Sequence, residues 1–376
     1  MKAQQYVPII VLRRIKSFFV RIKDIVVLFK SGLISEDSCF PELPRKNKVA
    51  RAFQLVWYLL KYGEILWQYN LYGLDVKPFK AMDEYIGNKE LMWREFEYNI
   101  LRAKNDYTNI MRDKRLFYLF LRANGYNTPT VFAYSKDGAI YPFGWRLSGE
   151  WERETIPVES FLEQAGKFFC KPYNGKCGRG IFIIQIGEEI RINGEVVDRA
   201  HAVEFLSSAF KDEYIIQDVL VQHPEMAALN PSSVNTIRII TGRNKKSRQV
   251  EFVTGFLRIG GKKSMTDNMA GGGMAVGINF EAGYLQHYGY FFSDGGSRRI
   301  EEHPELKIPL ETIHIPHLQE AIQTSIELHE KLDDLQIIGW DVAVTADSVS
   351  FIEGNDSPGL SQSNHGPKRR VIDQYI

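Results

Sequence analysis

Beyond Thr128 the chain breaks into short β-branched and aromatic runs, a texture that constrains the fold more than any other feature of the sequence. The runs cover Thr130 to Tyr134, Phe168 to Lys171, Ile181 to Ile186, Tyr214 to Val219, Thr236 to Thr241, Val250 to Ile259, Gly339 to Val344 and Val349 to Glu353. Gly, Asn, Asp or Pro bounds most of them, as strand ends require. Helical stretches intervene at Pro157 to Gly166, Ala200 to Phe210 and Ile315 to Leu332, too irregularly for a regular βαβ alternation. The expectation is an α+β fold with long, mostly antiparallel sheets. Residues 50–122 read differently: they are helical in pattern, rich in aromatic and charged residues, and broken at Pro78 and at Gly87-Asn88. With 376 residues, 44% of them hydrophobic, the chain can bury two or three cores rather than one.

Charge narrows the class of partner. The 47 basic and 46 acidic residues nearly cancel, so the chain lacks the global excess of a dedicated nucleic-acid binder, and any electrostatic preference is local. Cys39, Cys170 and Cys177 are too few and too scattered for a disulfide framework or a zinc site, which points to a reducing, cytoplasmic compartment. The N-terminus does not read as a cleaved signal, and no apolar run reaches the roughly 20 residues needed to span a bilayer. Instead Val11, Leu12, Ile15, Phe18, Phe19, Ile22, Ile25, Val26 and Phe29 recur every three to four residues, with Arg13, Arg14, Lys16, Arg21 and Lys23 between them. This spacing predicts a basic amphipathic helix over residues 9–29. Such a helix either buries its apolar face on its own domain or rests on an anionic membrane surface.

Two segments carry chemistry. In the first, Phe168 to Phe182, a strand delivers Lys171, a glycine-rich loop follows with Lys176, Gly178 and Arg179, and a second strand begins. Glycines let backbone N–H groups approach phosphates, so the hairpin tip can close over a phosphate chain; a plain hairpin with a basic tip is the competing reading. With no GK[ST] ending and no following helix, it is not a P-loop. In the second, Asp341, Glu353 and Asn355 lie on two apolar strands joined by a turn, Glu353 and Asn355 two apart and so on one face. Two carboxylates and an amide oxygen are hard ligands suited to magnesium, unless they are simply satisfied polar groups at strand ends. Arg238 and Arg258 also sit within apolar strands, where each needs either a structural salt bridge or an anionic ligand. The terminal Lys368-Arg369-Arg370 reads as a solvated tail, with contact to an anionic acceptor the alternative.

Taken together and in order, these segments resemble the ATP-grasp superfamily from about Met111 to the end. They are most similar to its sugar-transfer-associated family, through Ser233-Val234-Asn235-Thr236-Ile237-Arg238, Leu257-Arg258-Ile259-Gly260, Asp267-Asn268 with Gly271-Gly272-Gly273, Gly339-Trp340-Asp341 and Glu353-Gly354-Asn355. The resemblance implies an ATP-grasp fold, two α+β subdomains sandwiching ATP, behind a helical N-terminal region. It divides the chain at 1–110, 111–220 and 221–376. It also implies that Lys114 and Lys171 bind the ATP phosphates, that Gln217, Asp218 and Val219 form the adenine hinge, and that Asp341, Glu353 and Asn355 hold Mg2+. His223, just past the hinge, either reaches the ribose or is a loop histidine with no role. Asn268 and the glycines after it resemble a loop that closes over the reacting centre, or are a flexible connector. The implied activity is an ADP-forming carboxylate–amine ligase, with small-molecule substrates linked to sugar or polysaccharide assembly and Arg238 and Arg258 steadying the carboxylate. A kinase acting on a small acceptor and a non-catalytic nucleotide-binding module are the rivals.

Overall fold

The computed structural model describes residues 23–77, 81–143, 155–173, 180–262, 264–267, 272–293, 296–359 and 368–376. Most of the predicted N-terminal amphipathic helix, residues 9–22, lies outside them; its end, residues 23–30, is helical and is called α1. Here Leu28 is fully buried, whereas Val26 and Phe29 of the predicted apolar stripe are exposed. Helix α2, Lys48–Tyr62, starts where the Asn47 side chain accepts the Ala50 N–H and stops at Gly63, whose φ of 78° suits glycine. Leu28 shares a core with Leu55, Tyr58 and Leu59 of α2 and with Tyr290 from the second sheet, so the helical region packs on the rest of the molecule.

Three further helices lead to the sheets. Helix α3, Asn88–Phe96, runs on into one π-helical stretch, Glu97–Leu101. Helices α4, Thr108–Arg112, and α5, Lys114–Ala123, follow.

Two seven-stranded sheets carry the remainder, and every ladder in them is antiparallel. The first comprises β1 Val131–Lys136, β2 Ala139–Pro142, β3 Gly166–Pro172, β4 Phe182–Ile186, β5 Ile190–Ile192, β6 Glu195–Val197 and β7 Tyr214–Asp218, in the order β2-β1-β7-β3-β4-β5-β6. The second comprises β8 Thr236–Arg243, β9 Val250–Ile259, β10 Met274–Asn279, β11 Tyr284–Ser293, β12 Gly296–Ile300, β13 Ile337–Val344 and β14 Val349–Asn355, in the order β12-β11-β10-β9-β8-β13-β14. Each sheet has its main core on one face, and the second sheet also packs its other face through Ile240 and Ile337 against Ile86, Leu91 and Tyr375. Phe168, Cys170, Phe182 and Ile216 of the first pack with Phe161, Leu206 and Phe210 from the helical segments beside it. Ile237, Ile239, Leu257, Trp340 and Val342 of the second pack with Ala321 and Leu328 of a helix over Leu318–Glu330, and with Phe117 and Leu121 of α5.

Several expected elements differ in extent. The helix expected from Pro157 to Gly166 is one turn, Val158–Phe161, because Gly166 already begins β3. The helix expected from Ile315 starts at Leu318, after His317 takes a left-handed φ of 55°. Strands β2, β5, β6, β10, β11 and β12 fall outside the β-branched runs that mark the others.

Candidate active site

Alternation along the strands decides which side chains meet between the sheets. Because Ile237 and Ile239 of β8 enter the core, Arg238 points the other way; Leu257 and Ile259 do the same for Arg258, and Trp340 and Val342 for Asp341. Register then aligns them, with Asp341 opposite Arg238 on one side and Glu353 on the other. On the first sheet Phe168, Cys170 and Ile216 are core, leaving Phe169, Lys171 and Gln217 on the facing side, with Phe169 opposite Gln217.

Lys114 reaches this space from α5. Asp113 caps that helix by accepting the Arg115 and Leu116 N–H groups, which fixes the start at Lys114. A Cβ on Gly354 would come within 2.4 Å of Met111 Sδ and 3.0 Å of Phe117, so only glycine lets α4 and α5 lie this close to β14. As a result Lys114 Nζ stands 3.4 Å from Glu353 Oε1 and donates to the Tyr173 carbonyl at 3.3 Å. Lys171 is buried, and its ammonium is pushed down to about 8, first by burial and then by the Lys114 charge, with Glu353 pulling the other way. Two lysines from different elements thus converge on one partly exposed carboxylate.

The arginines are held far more tightly. Asp341 accepts from Arg238 Nε at 2.5 Å and Nη2 at 3.2 Å, and from Arg258 Nη1 at 3.0 Å. Arg258 Nη2 donates at 2.6 Å to Asp267, whose other oxygen accepts the Thr236 hydroxyl. Burial alone would raise the Asp341 carboxyl, but Arg238 and Arg258 outweigh it and hold it below the usual range. Asp267 goes the other way: burial dominates over Arg258 and raises it. The salt-bridge reading of Arg238 and Arg258 therefore describes their resting state.

Magnesium fits the donor set unevenly. Glu353 and Asn355 stand two residues apart on one strand, with Asn355 opposite Gly339 and Glu353 opposite Asp341. Asp341 Oδ1 accepts one guanidinium N–H and Oδ2 accepts two, so only Oδ1 keeps an in-plane lone pair, and Asp341 would join a cation only through it and alongside the arginines. Glu353 and Asn355 are the freer ligands, and Mg2+ bound there would supply positive charge beside phosphate oxygens.

The remaining predicted residues are placed as follows. Gln217 is buried on the facing side of β7, and the Asp218 N–H donates to the Thr130 carbonyl at 2.9 Å. Asp218 and Val219 line a cavity of about 260 Å³, together with Asn127, Pro129, Ser348 and Ser350. Ser350 is three residues from Glu353, and Asp218 is three residues along β7 from the partner of Lys171, so the cavity lies roughly 10 Å along the strands from the lysine cluster. His223 caps a short helix, its Nδ1 accepting the Glu225 N–H at 3.2 Å, and it shares no hydrogen bond with the lysine cluster among the described residues. Lys176, Gly178, Arg179 and Asn268 lie outside the described residues.

Three residues with no role assigned from sequence join the site. Asp267 is one. The others, Glu95 and Asn99, come from α3 and its π-helical extension and are fully buried. Glu95 accepts the Ser357 hydroxyl at 2.5 Å and the Gly359 N–H, while its Oε1 has no partner among the described residues. Burial pushes its carboxyl up to about 7 against the pull of Ser357 and Gly359. Asn99 donates to the carbonyls of Ile337 and Asp356, both at 2.7 Å, and accepts the Gln336 N–H at 2.8 Å. The same 356–359 segment accepts Arg238 Nη1 at the Pro358 carbonyl, 2.8 Å away. The signal was present in sequence: Leu91, Glu95 and Asn99 are four apart, a polar interruption of a buried helical stripe.

A pair of antiparallel sheets facing each other across a cluster of lysines and carboxylates, behind a helical region, is the ATP-grasp fold. Residues 94–366 match the family model of sugar-transfer associated ATP-grasp proteins, and the chain belongs to that family. No curated protein matches the chain. Solved structures similar to it include N5-carboxyaminoimidazole ribonucleotide synthetase from Thermotoga maritima, 14% identical over 73% of this chain and 52% of that one, with a TM-score of 0.37. D-alanine–D-alanine ligase from Bacillus anthracis, solved in complex with ATP, is 12% identical over 72% of this chain and 63% of that one, with a TM-score of 0.34. The chain thus spans about half the length of the first and under two thirds of the second.

Proposed function

We propose that the protein is an ADP-forming ligase that activates a carboxylate with ATP and joins it to an amine. The observation that carries this reading is the convergence of Lys114 and Lys171 on Glu353, with Arg238 and Arg258 on the same side of the second sheet. Two cations that approach a carboxylate from another sheet and another helix suit a triphosphate with its metal, since phosphoryl transfer depends on positioning and charge dispersal. Lys114 and Lys171 bind the phosphates, Glu353 and Asn355 hold Mg2+, and the cavity at Asp218 and Val219 receives the adenine. The substrate carboxylate attacks the γ-phosphorus, forming an acyl phosphate and releasing ADP; the amine then attacks the acyl carbon, releasing phosphate and a proton. Arg238 and Arg258 face the charge that develops on the transferring group. Membership of a sugar-transfer associated family supports a sugar acid or amino sugar as one partner.

The test is ATP turnover with magnesium in wild type, Lys171→Ala and Glu353→Ala, screening pools of sugar acids and amino acids with hydroxylamine as the trap. Hydroxamate and ADP that need one carboxylate pool and vanish in both variants are the expected result. A phosphorylated acceptor without hydroxamate would instead make the protein a kinase, and nucleotide binding with neither product would make it a binding module.

A further inference from the structure

Helix α2 is apolar on two opposite faces. Leu55, Tyr58 and Leu59 point into the core and are fully buried. Val49, Phe53, Trp57 and Leu60, at spacings of four, four and three, form a second stripe on the solvent side, with Val49 78% and Phe53 70% exposed. A monomeric globular helix ordinarily has one apolar stripe, and a second, ordered stripe in water marks a surface that meets something else. Charge says what. The helix contains no acidic residue; of its cations Arg51 is buried, leaving Lys48 and Lys61 at the surface, Lys61 also 3.6 Å from Asp83. Lys61 Nζ lies 4.5 Å from the centre of the Trp57 ring, an aromatic–cation pair of the kind that suits the boundary between headgroups and acyl chains.

A second observation comes from α1. Its Leu28 anchors it in the same core as Leu55 and Leu59, so Val26 and Phe29 are turned to solvent rather than packed. The sequence leading into α1 carries six cations, Lys2, Arg13, Arg14, Lys16, Arg21 and Lys23, before the first acid, Asp24. Since the whole chain is only +1, everything after this stretch is net acidic. This polarity fits an anionic sheet of charge. It opposes a second copy docked on α2 about a twofold axis, which would bring two acid-free, lysine-bearing helices together.

We propose that the outward stripe of α2, together with Val26 and Phe29 of α1, seats the protein on an anionic lipid bilayer, the apolar side chains entering the interface and the flanking lysines meeting headgroups. The seat is peripheral: among the described residues no helix is long and apolar enough to cross a membrane. It is independent of which reaction the cleft performs.

Co-sedimentation of the full chain with phosphatidylcholine vesicles, with and without phosphatidylglycerol, tests this. Partitioning is expected to rise at least about tenfold with the anionic lipid, and to fall at least about tenfold in Val49→Ser/Phe53→Ser, since each removes a large apolar side chain from the interface. Phe53→Leu should retain binding. Both positions are exposed, so the double variant should keep the wild-type melting temperature, which separates a lost seat from a lost fold. The proposal is overturned if the double variant sediments like wild type. It is also overturned if light scattering without lipid shows a wild-type dimer that the double variant breaks, because a second copy would then own the face.

Discussion

Two pairs of cations face the same space between the sheets, yet they are held in opposite ways. Arg238 and Arg258 on the second sheet are locked by three hydrogen bonds to Asp341, a further one to Asp267 and another to the Pro358 carbonyl. Lys114 and Lys171, across from them, face one partly exposed carboxylate, Lys114 at 3.4 Å, and the Lys171 ammonium is destabilised by its own burial. The arginine side is a rigid wall whose charges are already compensated. On the lysine side it is Lys171 whose charge burial opposes, so an anion arriving between the sheets gains most there. Wall and receptor should therefore respond differently to the same kind of mutation.

The largest effect is expected from the wall. Asp341→Ala leaves two buried guanidiniums short of a carboxylate and should cost about 3–5 kcal/mol of stability, read from the urea midpoint. An unchanged midpoint would erase the contrast. Next comes the receptor: Lys171→Met should lower ATP-dependent turnover about 10²–10³-fold, yet leave the protein at least as stable as wild type, because it removes a buried cation rather than a partner. The pH dependence sharpens this. Between about 8 and 10.5 the unfolded chain keeps the Lys171 proton and the folded protein does not, so wild-type stability should rise with pH across that window, and the rise should be missing in Lys171→Met.

Smaller effects test the edges of the contrast. Glu353→Gln should change stability by less than about 1 kcal/mol, as expected of a partly exposed ion pair, while abolishing the melting shift produced by ATP with magnesium. A large loss of stability with an intact MgATP shift would move Glu353 to the wall. The smallest effect belongs to Glu95. Its carboxyl is raised from 4.5 to about 7, so the folded state holds the extra proton and stability should decline as pH climbs through that range. Glu95→Gln should flatten the decline in a pH series of unfolding curves.

What could be read from the sequence follows from how local each feature is. Strands β8, β9, β13 and β14 announce themselves by β-branched runs, and the two-residue spacing of Glu353 and Asn355 places both on one face by alternation alone. Strands β10 and β11 escape the same reading because Gly277 and Gly289 interrupt them, and β5 and β6 because three residues show no period. The state of Arg238 and Arg258 was open because their carboxylate stands 103 and 83 residues away; only the pairing of β13 with β8 and of β8 with β9 decides that Asp341 reaches both. Glu95 and Asn99 were missed for a related reason. A polar residue on a helical stripe is usually a solvated one, and nothing near residue 95 in sequence foretells Ser357.

Asn99 fills the needs of the Gln336 amide and the Asp356 carbonyl at once, so the helical region is no detachable appendage. A fragment cut at residue 110 would strip those groups and orphan Ser357 beneath Arg238, at about 1–3 kcal/mol for each buried group left unpaired. The family match, which begins at residue 94, includes both Glu95 and Asn99 and so keeps the whole clamp within it. What lies ahead of it is tied in as well: α2 shares a core with Tyr290 of the second sheet, and Glu64 just beyond α2 accepts the Lys89 and Glu90 N–H groups that open α3, so a change at the membrane-facing end is felt at the back of the cleft.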